Sequence, residues 1–218
     1  MHAEREIAPM RQVRRAYYDV FSRFYDRFVA LHSRDSGDVA RRFLAERLPV
    51  REGGSVLDIC TGTATLLSYL LPRVGRDGHV VGVDFSMGML GVARGKTTDL
   101  ERVDLVEADA GSLPFAPATF DAVTCSHAFY ELKGEGKEGA LREVRRVLRS
   151  GGAFLMMEHD APANPLVRAL YYLRLTVVGA GKAIGCLRCE REILAAHFSA
   201  VEKVLAPGGR SKVMVCRK

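Results

Sequence analysis

The sequence has few cysteines and no long apolar run, and both absences narrow the class of protein. Its five cysteines are odd in number and scattered, which argues against a disulfide framework and predicts a reducing cytoplasm. No stretch reaches the ~18 uninterrupted apolar residues that a membrane span needs. The first residues, MHAEREIAPMRQVRR, also lack the apolar core of a secretory signal. We therefore expect a cytoplasmic protein.

Two further absences concern metals and dinucleotides. Cys186 and Cys189 form a lone C-x-x-C without a second pair, so no metal site is expected. The dinucleotide fingerprint G-x-G-x-x-G is missing too, because only Gly62 is available where the first strand turns into a helix. The sequence therefore disfavours an NAD-dependent oxidoreductase.

The composition is that of a globular protein with a mild positive charge. The chain has 218 residues, of which 48% are hydrophobic, which is enough for a sizeable core. Its 32 Lys and Arg residues exceed its 26 Asp and Glu residues and give a net charge of +6. This charge permits an anionic substrate, a membrane surface or nucleic acid, but requires none of them.

The hydrophobic period changes near residue 50. Before that point, apolar residues from Val13 to Leu31 recur every three or four positions and predict a helix, and a second helix is expected from about Asp38 to Leu48. After it, short apolar strands alternate with helices, which predicts a mostly parallel sheet covered on both faces. The predicted strands are 55–59, 79–84, 103–107, 120–126, 153–158, 201–205 and 212–216, and the predicted later helices are 64–71, 86–93, 139–148, 166–178 and 190–198. Pro72 is expected to end the helix 64–71, and Ser86 is expected to be the N-cap of the helix 86–93.

The last two strands are joined by a short turn containing Pro207, Gly208 and Gly209. So short a connection allows only an antiparallel pair. The expected architecture is therefore a parallel sheet that is finished by one antiparallel edge hairpin.

Ligands in open α/β sheets bind at the carboxyl ends of the strands, so the residues after each strand are the candidate site. The first strand ends in Asp58 and is followed by CTGTAT, in which Cys60, Gly62 and Ala64 are small enough for a ligand to approach the backbone. Asp58 would repel a pyrophosphate but attract an ammonium and a sulfonium. This pattern favours S-adenosylmethionine, and the loop residues predicted to bind it are Asp58, Cys60, Thr61, Gly62 and Thr63.

The second and third strands also end in acidic residues. Asp84 lies 22 residues after Gly62, where a carboxylate can accept hydrogen bonds from both ribose hydroxyls; alternatively, it interacts with the following helix dipole. Phe85, Met87 or Met89 would line the adenine, although Met89 equally suits the core. Asp109 and the backbone of Ala110 would bind the adenine edge, unless Asp109 only forms a local turn.

Polar side chains after the fourth and fifth strands are the catalytic candidates. Ser126 and His127 follow the fourth strand, Tyr130 lies just beyond, and His159 follows the fifth. His127, Tyr130 and His159 are candidates for a proton relay. The alternatives are that His127 only packs over the cofactor and that Tyr130 only caps the next helix.

Taken together, the segments VLDICTGTAT, VVGVDFSMGML, VEADAGSLPFAPATFDAVTCSHAFYEL and LREVRRVLRSGGAFLMMEH resemble class I S-adenosylmethionine-dependent methyltransferases. The likeness is strongest to the ubiquinone/menaquinone-biosynthesis C-methyltransferases and the bacterial phospholipid N-methyltransferases. It implies an α/β, three-layer Rossmann-like methyltransferase fold with seven strands and an N-terminal helical lid. It also implies that the cofactor is held by Asp58, Gly62, Asp84, Asp109 and Ala110, with Ser126 near its methionyl end and with Tyr17 and Tyr25 reaching it from the lid.

The sequence thus predicts a lid over residues 1–50 and a cofactor-binding methyltransferase domain over residues 51–218. The predicted activity is S-adenosylmethionine-dependent methyl transfer to a small or lipid-like acceptor, either a quinone precursor or a phospholipid. The alternatives are a nucleotide-binding regulatory module without catalysis and a nucleic-acid methyltransferase. No nucleic-acid partner is expected, since Ser126-His127-Ala128-Phe129 stands where an Asn-Pro-Pro-Tyr-like loop would lie. The apolar segment 166–184, with interspersed basic residues, would cap an acceptor, rest on a membrane or pack on the sheet.

Overall fold

Seven strands form one sheet in the computed structural model, which describes residues 13, 15–25, 39–132, 135–160, 190–209 and 211–218. The strands are β1 (Ser55–Ile59), β2 (His79–Asp84), β3 (Val103–Glu107), β4 (Phe120–Ser126), β5 (Leu148–His159), β6 (Ala200–Leu205) and β7 (Ser211–Arg217). Their order across the sheet is β3-β2-β1-β4-β5-β7-β6.

The pairing confirms the predicted mostly parallel sheet with an antiparallel hairpin at one edge. β1 pairs in parallel with β2 and with β4, and these extend in parallel to β3 and β5. β7 runs antiparallel to both β5 and β6. The chain leaves β1 toward one edge and returns to β4 on the other side, so the strand order reverses beside β1. Such a reversal opens a crevice at the carboxyl ends of the strands, where ligands bind in this class of fold.

Helices cover both faces of the sheet. They are α1 (residues 13 and 15–25), α2 (Val39–Glu46), α3 (Leu67–Leu70), α4 (Met87–Thr97), α5 (Glu135–Val147) and α6 (residues 190–195), with short 3-10 turns at Leu71–Val74 and Phe129–Glu131. The predicted helix 166–178 and the pair Cys186 and Cys189 lie outside the described residues. Among the described residues, no helix is both long enough and apolar enough to cross a bilayer.

The helix predicted over 64–71 is shorter than expected. Ala64 has a left-handed backbone, with φ of 61°, which a right-handed helix does not accommodate. The α-helix therefore begins only at Leu67. The prediction that Pro72 ends the helical stretch is wrong. Pro72 lies in the first turn of the following 3-10 helix, where its missing N–H is not needed.

The hydrophobic core has one part on each face of the sheet. Adjacent residues of a strand point to opposite faces, so Val56 packs with Leu44 of α2 and Leu67 of α3, whereas Leu57 packs on the face covered by α5 and α6. Each of these residues is fully buried. The three layers that the sequence predicts are therefore present, and they hold the carboxyl ends of β1, β2 and β4 side by side.

Candidate active site

A buried carboxylate closes the end of β1. Asp58 is 1% exposed, and its two oxygens accept hydrogen bonds from the hydroxyls of Thr61, at 2.7 Å, and Thr124, at 2.6 Å. Burial raises the pKa of Asp58 to about 6; the two threonine hydrogen bonds oppose the shift and the charge of nearby Asp84 adds to it. Asp58 is thus a desolvated acidic group that would be stabilised by a cation nearby.

The loop after β1 is built from left-handed residues at alternate positions. Cys60, Gly62 and Ala64 have φ values of 54°, 57° and 61°. Only glycine adopts this conformation without strain, so Cys60 and Ala64 each bear a conformational cost that glycine at the same position would avoid. A side chain at Gly62 would meet no heavy atom within 4 Å among the described residues. The loop therefore presents bare backbone to open space at the end of β1.

Asp84 joins this loop to the next one. Its carboxylate accepts hydrogen bonds from the backbone N–H of Gly62 and from that of Ser86, both at 2.9 Å. Ser86 in turn begins α4 as its N-cap and accepts from the N–H of Met89 at 3.2 Å, as predicted. Burial raises the pKa of Asp84, although the backbone hydrogen bonds from Ser86, Gly62 and Phe85 oppose that rise.

Helix α1 lies across the carboxyl ends of these strands. Asp19 accepts hydrogen bonds from the Ser86 hydroxyl at 2.6 Å and from the Gly88 N–H at 2.8 Å. Burial raises the pKa of Asp19, but the hydrogen bonds from Ser86 and Gly88 outweigh that effect and leave the pKa lowered. Arg15 forms an ion pair with Glu107 at the end of β3. The sequence reasoning missed Asp19, although this residue belongs to a Tyr-Asp pair that recurs within residues 16–28, AYYDVFSRFYDRF.

Tyr18 of α1, for which no role was predicted, lies where Tyr17 was expected. Tyr18, not Tyr17, faces the strand ends: its hydroxyl donates to Glu131, and its ring meets the Phe85 ring edge to face at a centroid distance of 5.8 Å. Tyr17 is 57% exposed and stacks on Phe21 within α1. The structure therefore turns Tyr17 away from the position predicted for it.

Gly88 lets α1 approach α4 closely, and this contact gives a test. A side chain at Gly88 would come within 2.5 Å of the Asp19 backbone, whereas one at Gly91, a turn further along α4, would meet nothing within 4 Å. We expect Gly88→Ala to displace α1 and to speed trypsin cleavage at Arg15 and Arg23. The matched variant Gly91→Ala should leave cleavage unchanged and stabilise the helix by about 0.5–1 kcal/mol. Equal cleavage in the two variants would contradict this contact.

The remaining predicted cofactor residues are placed as follows. Asp109 accepts a hydrogen bond from the Gly111 N–H at 2.8 Å, which is the local turn named as the alternative to adenine binding. Ala110 beside it is buried, and so is Met89 in α4. Thr63 is buried in the loop after β1, and Tyr25, half-buried in α1, packs edge to face on Phe21.

Two buried polar atoms at the end of β4 lack a hydrogen-bond partner among the residues described. They are Oγ of Ser126 and Nδ1 of His127. Buried polar atoms are nearly always paired, so these two indicate a place for a polar ligand. His127 is also strained, with φ of 53°. Strain at a residue that also carries an orphan nitrogen favours a functional reason for its conformation.

His127 is electrically neutral at physiological pH. Its ring lies 4.5 Å from the ring of His159, centroid to centroid. Burial, together with the charge of a protonated His159, lowers the pKa of His127 to about 3. Burial lowers the pKa of His159 as well. The structure thus brings together two of the three predicted relay residues, and burial favours the uncharged form of both rings.

Tyr130 lies at the rim and is tied to a carboxylate that the sequence reasoning left out of the site. Its backbone N–H donates to Glu158 at 3.3 Å, and its side chain is 47% exposed. Partial desolvation, together with the nearby charges of Glu131 and Glu158, raises the pKa of the Tyr130 hydroxyl well above its usual value. Burial also raises the pKa of Glu158 to about 8. Glu158 is therefore a second buried acid beside the end of β4, and no simple sequence pattern distinguishes it from a strand residue.

Comparison with proteins of known structure identifies the class. The chain resembles an S-adenosylmethionine-dependent methyltransferase from Aquifex aeolicus, with a TM-score of 0.60 and 19% identity over 81% of this chain and 88% of the other. It also resembles the pyocyanin biosynthetic protein PhzM, with a TM-score of 0.69 and 22% identity over 94% of this chain and 61% of the other. These likenesses establish a Rossmann-like methyltransferase fold.

Within that class, the sequence comparison identifies the family. The ubiE/COQ5 methyltransferase family model matches residues 7–184. The demethylmenaquinone methyltransferase of Staphylococcus epidermidis is 36% identical over 166 residues, which cover 76% of this chain and 68% of the relative. The chain belongs to the ubiE/COQ5 methyltransferase family. It is an S-adenosylmethionine-dependent methyltransferase, as the sequence predicts, and the regulatory and nucleic-acid alternatives are not favoured.

Proposed function

We propose that the acceptor is a quinone precursor, an electron-rich ring carrying hydroxyl groups. The observation that supports it most directly is the similarity to relatives named demethylmenaquinone methyltransferase, at 36% identity. The end of β4 suits such a ring, because Ser126 Oγ and His127 Nδ1 are buried atoms that have no hydrogen-bond partner among the described residues. A ring hydroxyl would supply one.

We also propose where S-adenosylmethionine lies. The bare backbone at Gly62 leaves room for its methionyl end, and the adjacent charge of Asp58 favours a cation there. Asp84 would accept hydrogen bonds from the ribose hydroxyls. Its carboxylate is held between the loops after β1 and β2 by the N–H groups of Gly62 and Ser86, beside the proposed methionyl site. Asp109 and the Ala110 backbone remain the proposed adenine contacts. The described residues thus fit the cofactor, which supplies an electrophilic methyl group on its sulfonium.

The protein's own part in the reaction is to orient the acceptor, exclude water and receive a proton. Alignment of the reacting atoms in a dry site supplies much of the rate, on the order of 7–11 kcal/mol in favourable cases. His127 is uncharged at neutral pH, so its Nδ1 can accept the hydrogen bond of an acceptor hydroxyl and orient that group. His159 and Tyr130 are the proposed neighbours in that relay.

We further propose that, of the lid predicted over residues 1–50, it is α1 that covers the domain formed by residues 51–218, since α2 packs into the core of that domain. The contacts of Asp19 with Ser86 and Gly88, and of Tyr18 with Phe85, support this division. They place α1 over the same strand ends that carry the proposed cofactor residues. In this arrangement α1 would limit the access of water to the methyl group.

Replacing His127 by alanine tests the catalytic part of the proposal. With a hydroquinone acceptor and saturating S-adenosylmethionine, we expect turnover to fall by about 100-fold or more. Cofactor affinity should change little, since the proposed cofactor contacts are made by other residues. Turnover is measured by the release of S-adenosylhomocysteine.

His79→Ala is the matched control for that experiment. His79 begins β2, at the opposite end of the sheet, and its ring contacts Asp104 at 2.8 Å. This variant should keep its activity. If His127→Ala turns over the acceptor as fast as His79→Ala does, the relay role is wrong. If no quinone precursor is methylated by the unaltered protein, the acceptor class is wrong.

A further inference from the structure

Helix α1 has its two faces reversed relative to an ordinary helix on a globular protein. The face toward the strand ends carries Arg15, Tyr18, Asp19 and the buried Ser22. The opposite face carries four large apolar side chains that solvent reaches. These four, which we call the outer stripe, are Val13 (69% exposed), Tyr17 (57%), Val20 (71%) and Phe24 (60%).

The spacing of the outer stripe aligns its members on one side of the helix. They follow each other at intervals of four, three and four residues, which is the period of an α-helical face. Water opposes the exposure of such a stripe, at roughly 25 cal/mol for each Å² of apolar surface. Isolated exposed apolar residues need no explanation, but an aligned set points to a surface that binds something.

Basic residues surround the stripe in the sequence. Between residues 11 and 27 the chain has five arginines and only two aspartates. One of each is turned inward, Arg15 to Glu107 and Asp19 to Ser86 and Gly88, so the remaining charges of the segment are still mainly basic. An apolar face flanked by arginines is typical of helices that lie in the interface of an anionic bilayer. The charge of this segment is therefore complementary to acidic phospholipid headgroups.

We propose that the outer stripe docks α1 on the surface of an anionic phospholipid bilayer. From Val13 to Phe24 the stripe extends over 11 residue steps, about 16 Å at 1.5 Å per residue. Four side chains over this length are too few for a stable dimer, which usually buries more than about 1,000 Å². They are sufficient for reversible contact with a membrane. The burial of each apolar side chain there adds to the electrostatic attraction between the arginines and the anionic headgroups.

Docking in this orientation would bring the substrate to the site. Because the inner face of α1 covers the strand ends, the outer stripe places the proposed site next to the bilayer. An acceptor with a long apolar tail would then enter from the membrane without crossing water. This consequence rests on the proposed quinone-precursor acceptor, whereas the docking itself does not.

The test is flotation of the full chain with vesicles made of equal parts phosphatidylglycerol and phosphatidylcholine. We expect the unaltered protein to float with these vesicles and to be released by salt. The double variant Val20→Gln with Phe24→Gln should bind the vesicles at least about tenfold more weakly than the unaltered protein does. Both side chains are exposed, so the melting temperature should not change.

The matched control is Leu205→Gln, which removes an apolar side chain of similar exposure, 54%, from β6. It should float as the unaltered protein does. The proposal is overturned if the unaltered protein stays unbound, or if the double variant and the control float equally. It is also overturned if sedimentation without lipid shows a dimer that the double variant abolishes, because the stripe would then bind a second copy.

A separate measurement distinguishes docking from the acceptor proposal. Turnover of a quinone precursor that lacks the apolar tail should be the same in the double variant and in the unaltered protein, because this acceptor is dissolved in water. Failure of the unaltered protein to methylate it would reject the acceptor class and leave the flotation result standing. Turnover lost only in the double variant would show that the stripe is part of the catalytic machinery and would overturn the docking proposal.

Discussion

Asp84→Ala is expected to weaken the binding of S-adenosylmethionine by about 1–3 kcal/mol. The carboxylate of Asp84 holds the backbone N–H groups of Gly62 and Ser86 at 2.9 Å and is 6% exposed. Alanine would remove the proposed acceptor of the ribose hydroxyls and would also loosen the loops that follow β1 and β2. Isothermal titration calorimetry with the cofactor, at constant pH, measures the effect.

Asp99→Ala is the control for this change, since Asp99 is an exposed carboxylate in the turn after α4. It should bind the cofactor normally. The melting temperature of Asp84→Ala without cofactor is recorded as well, because loss of folding would also lower affinity. A folded Asp84→Ala protein with unchanged affinity would remove Asp84 from the proposed site.

Asp58→Asn is expected to stabilise the protein at neutral pH by roughly 2–3 kcal/mol. Burial raises the pKa of Asp58 from 3.8 to about 6 in the folded state. A raised pKa means that the folded state binds the proton more tightly than the unfolded state does. The stability that the protonated acid provides is therefore full below about pH 4 and is lost as the pH rises through about 6. Asparagine stays uncharged and avoids that loss.

The same variant should bind S-adenosylmethionine more weakly at neutral pH, because it cannot offer a negative charge to the sulfonium and the ammonium. In the unaltered protein, affinity should fall as the pH drops below about 6, where Asp58 becomes neutral. In Asp58→Asn that pH dependence should disappear.

Thermal unfolding and cofactor titration at several pH values test both effects. Thr61→Val serves as a control, since it removes one hydroxyl that Asp58 accepts from but keeps the charge. An Asp58→Asn protein that is no more stable than the unaltered protein at neutral pH would show that Asp58 is not strained by burial. Equal pH dependence of binding in both proteins would exclude Asp58 as the group that senses the cofactor's charge.

Much of the fold follows from short-range patterns in the sequence. The predicted bounds of β2 and β4 agree with the structure, because both strands are short, mostly apolar runs bounded by turn residues, and such runs have few alternatives. Ser86 was predicted as the N-cap of α4 for the same local reason. A small polar side chain before an apolar helix can satisfy a free N–H in the first turn.

Other features needed the packed molecule. The early start of the helix predicted at 64–71 was wrong, since nothing in the letters ATLL shows that Ala64 adopts a left-handed backbone. Glu158 looks like any residue at the end of a strand. Its pKa of about 8 arises because the surrounding elements bury it.

Helix α1 shows most clearly the difference between what local sequence patterns predict and what only contacts in the folded molecule decide. The three- and four-residue spacing of its apolar residues is a local property, and it predicted a helix with an apolar face. Which face turns toward the sheet was decided by contacts with residues far along the chain. Asp19 is held by Ser86 and Gly88, 67 and 69 positions away, and these charge-assisted hydrogen bonds fix the side of α1 that faces the strand ends. The sequence by itself thus determined the strands, the acidic strand ends and the methyltransferase family, whereas only the tertiary structure decided which residues face the site, because that choice depends on pairings between distant segments.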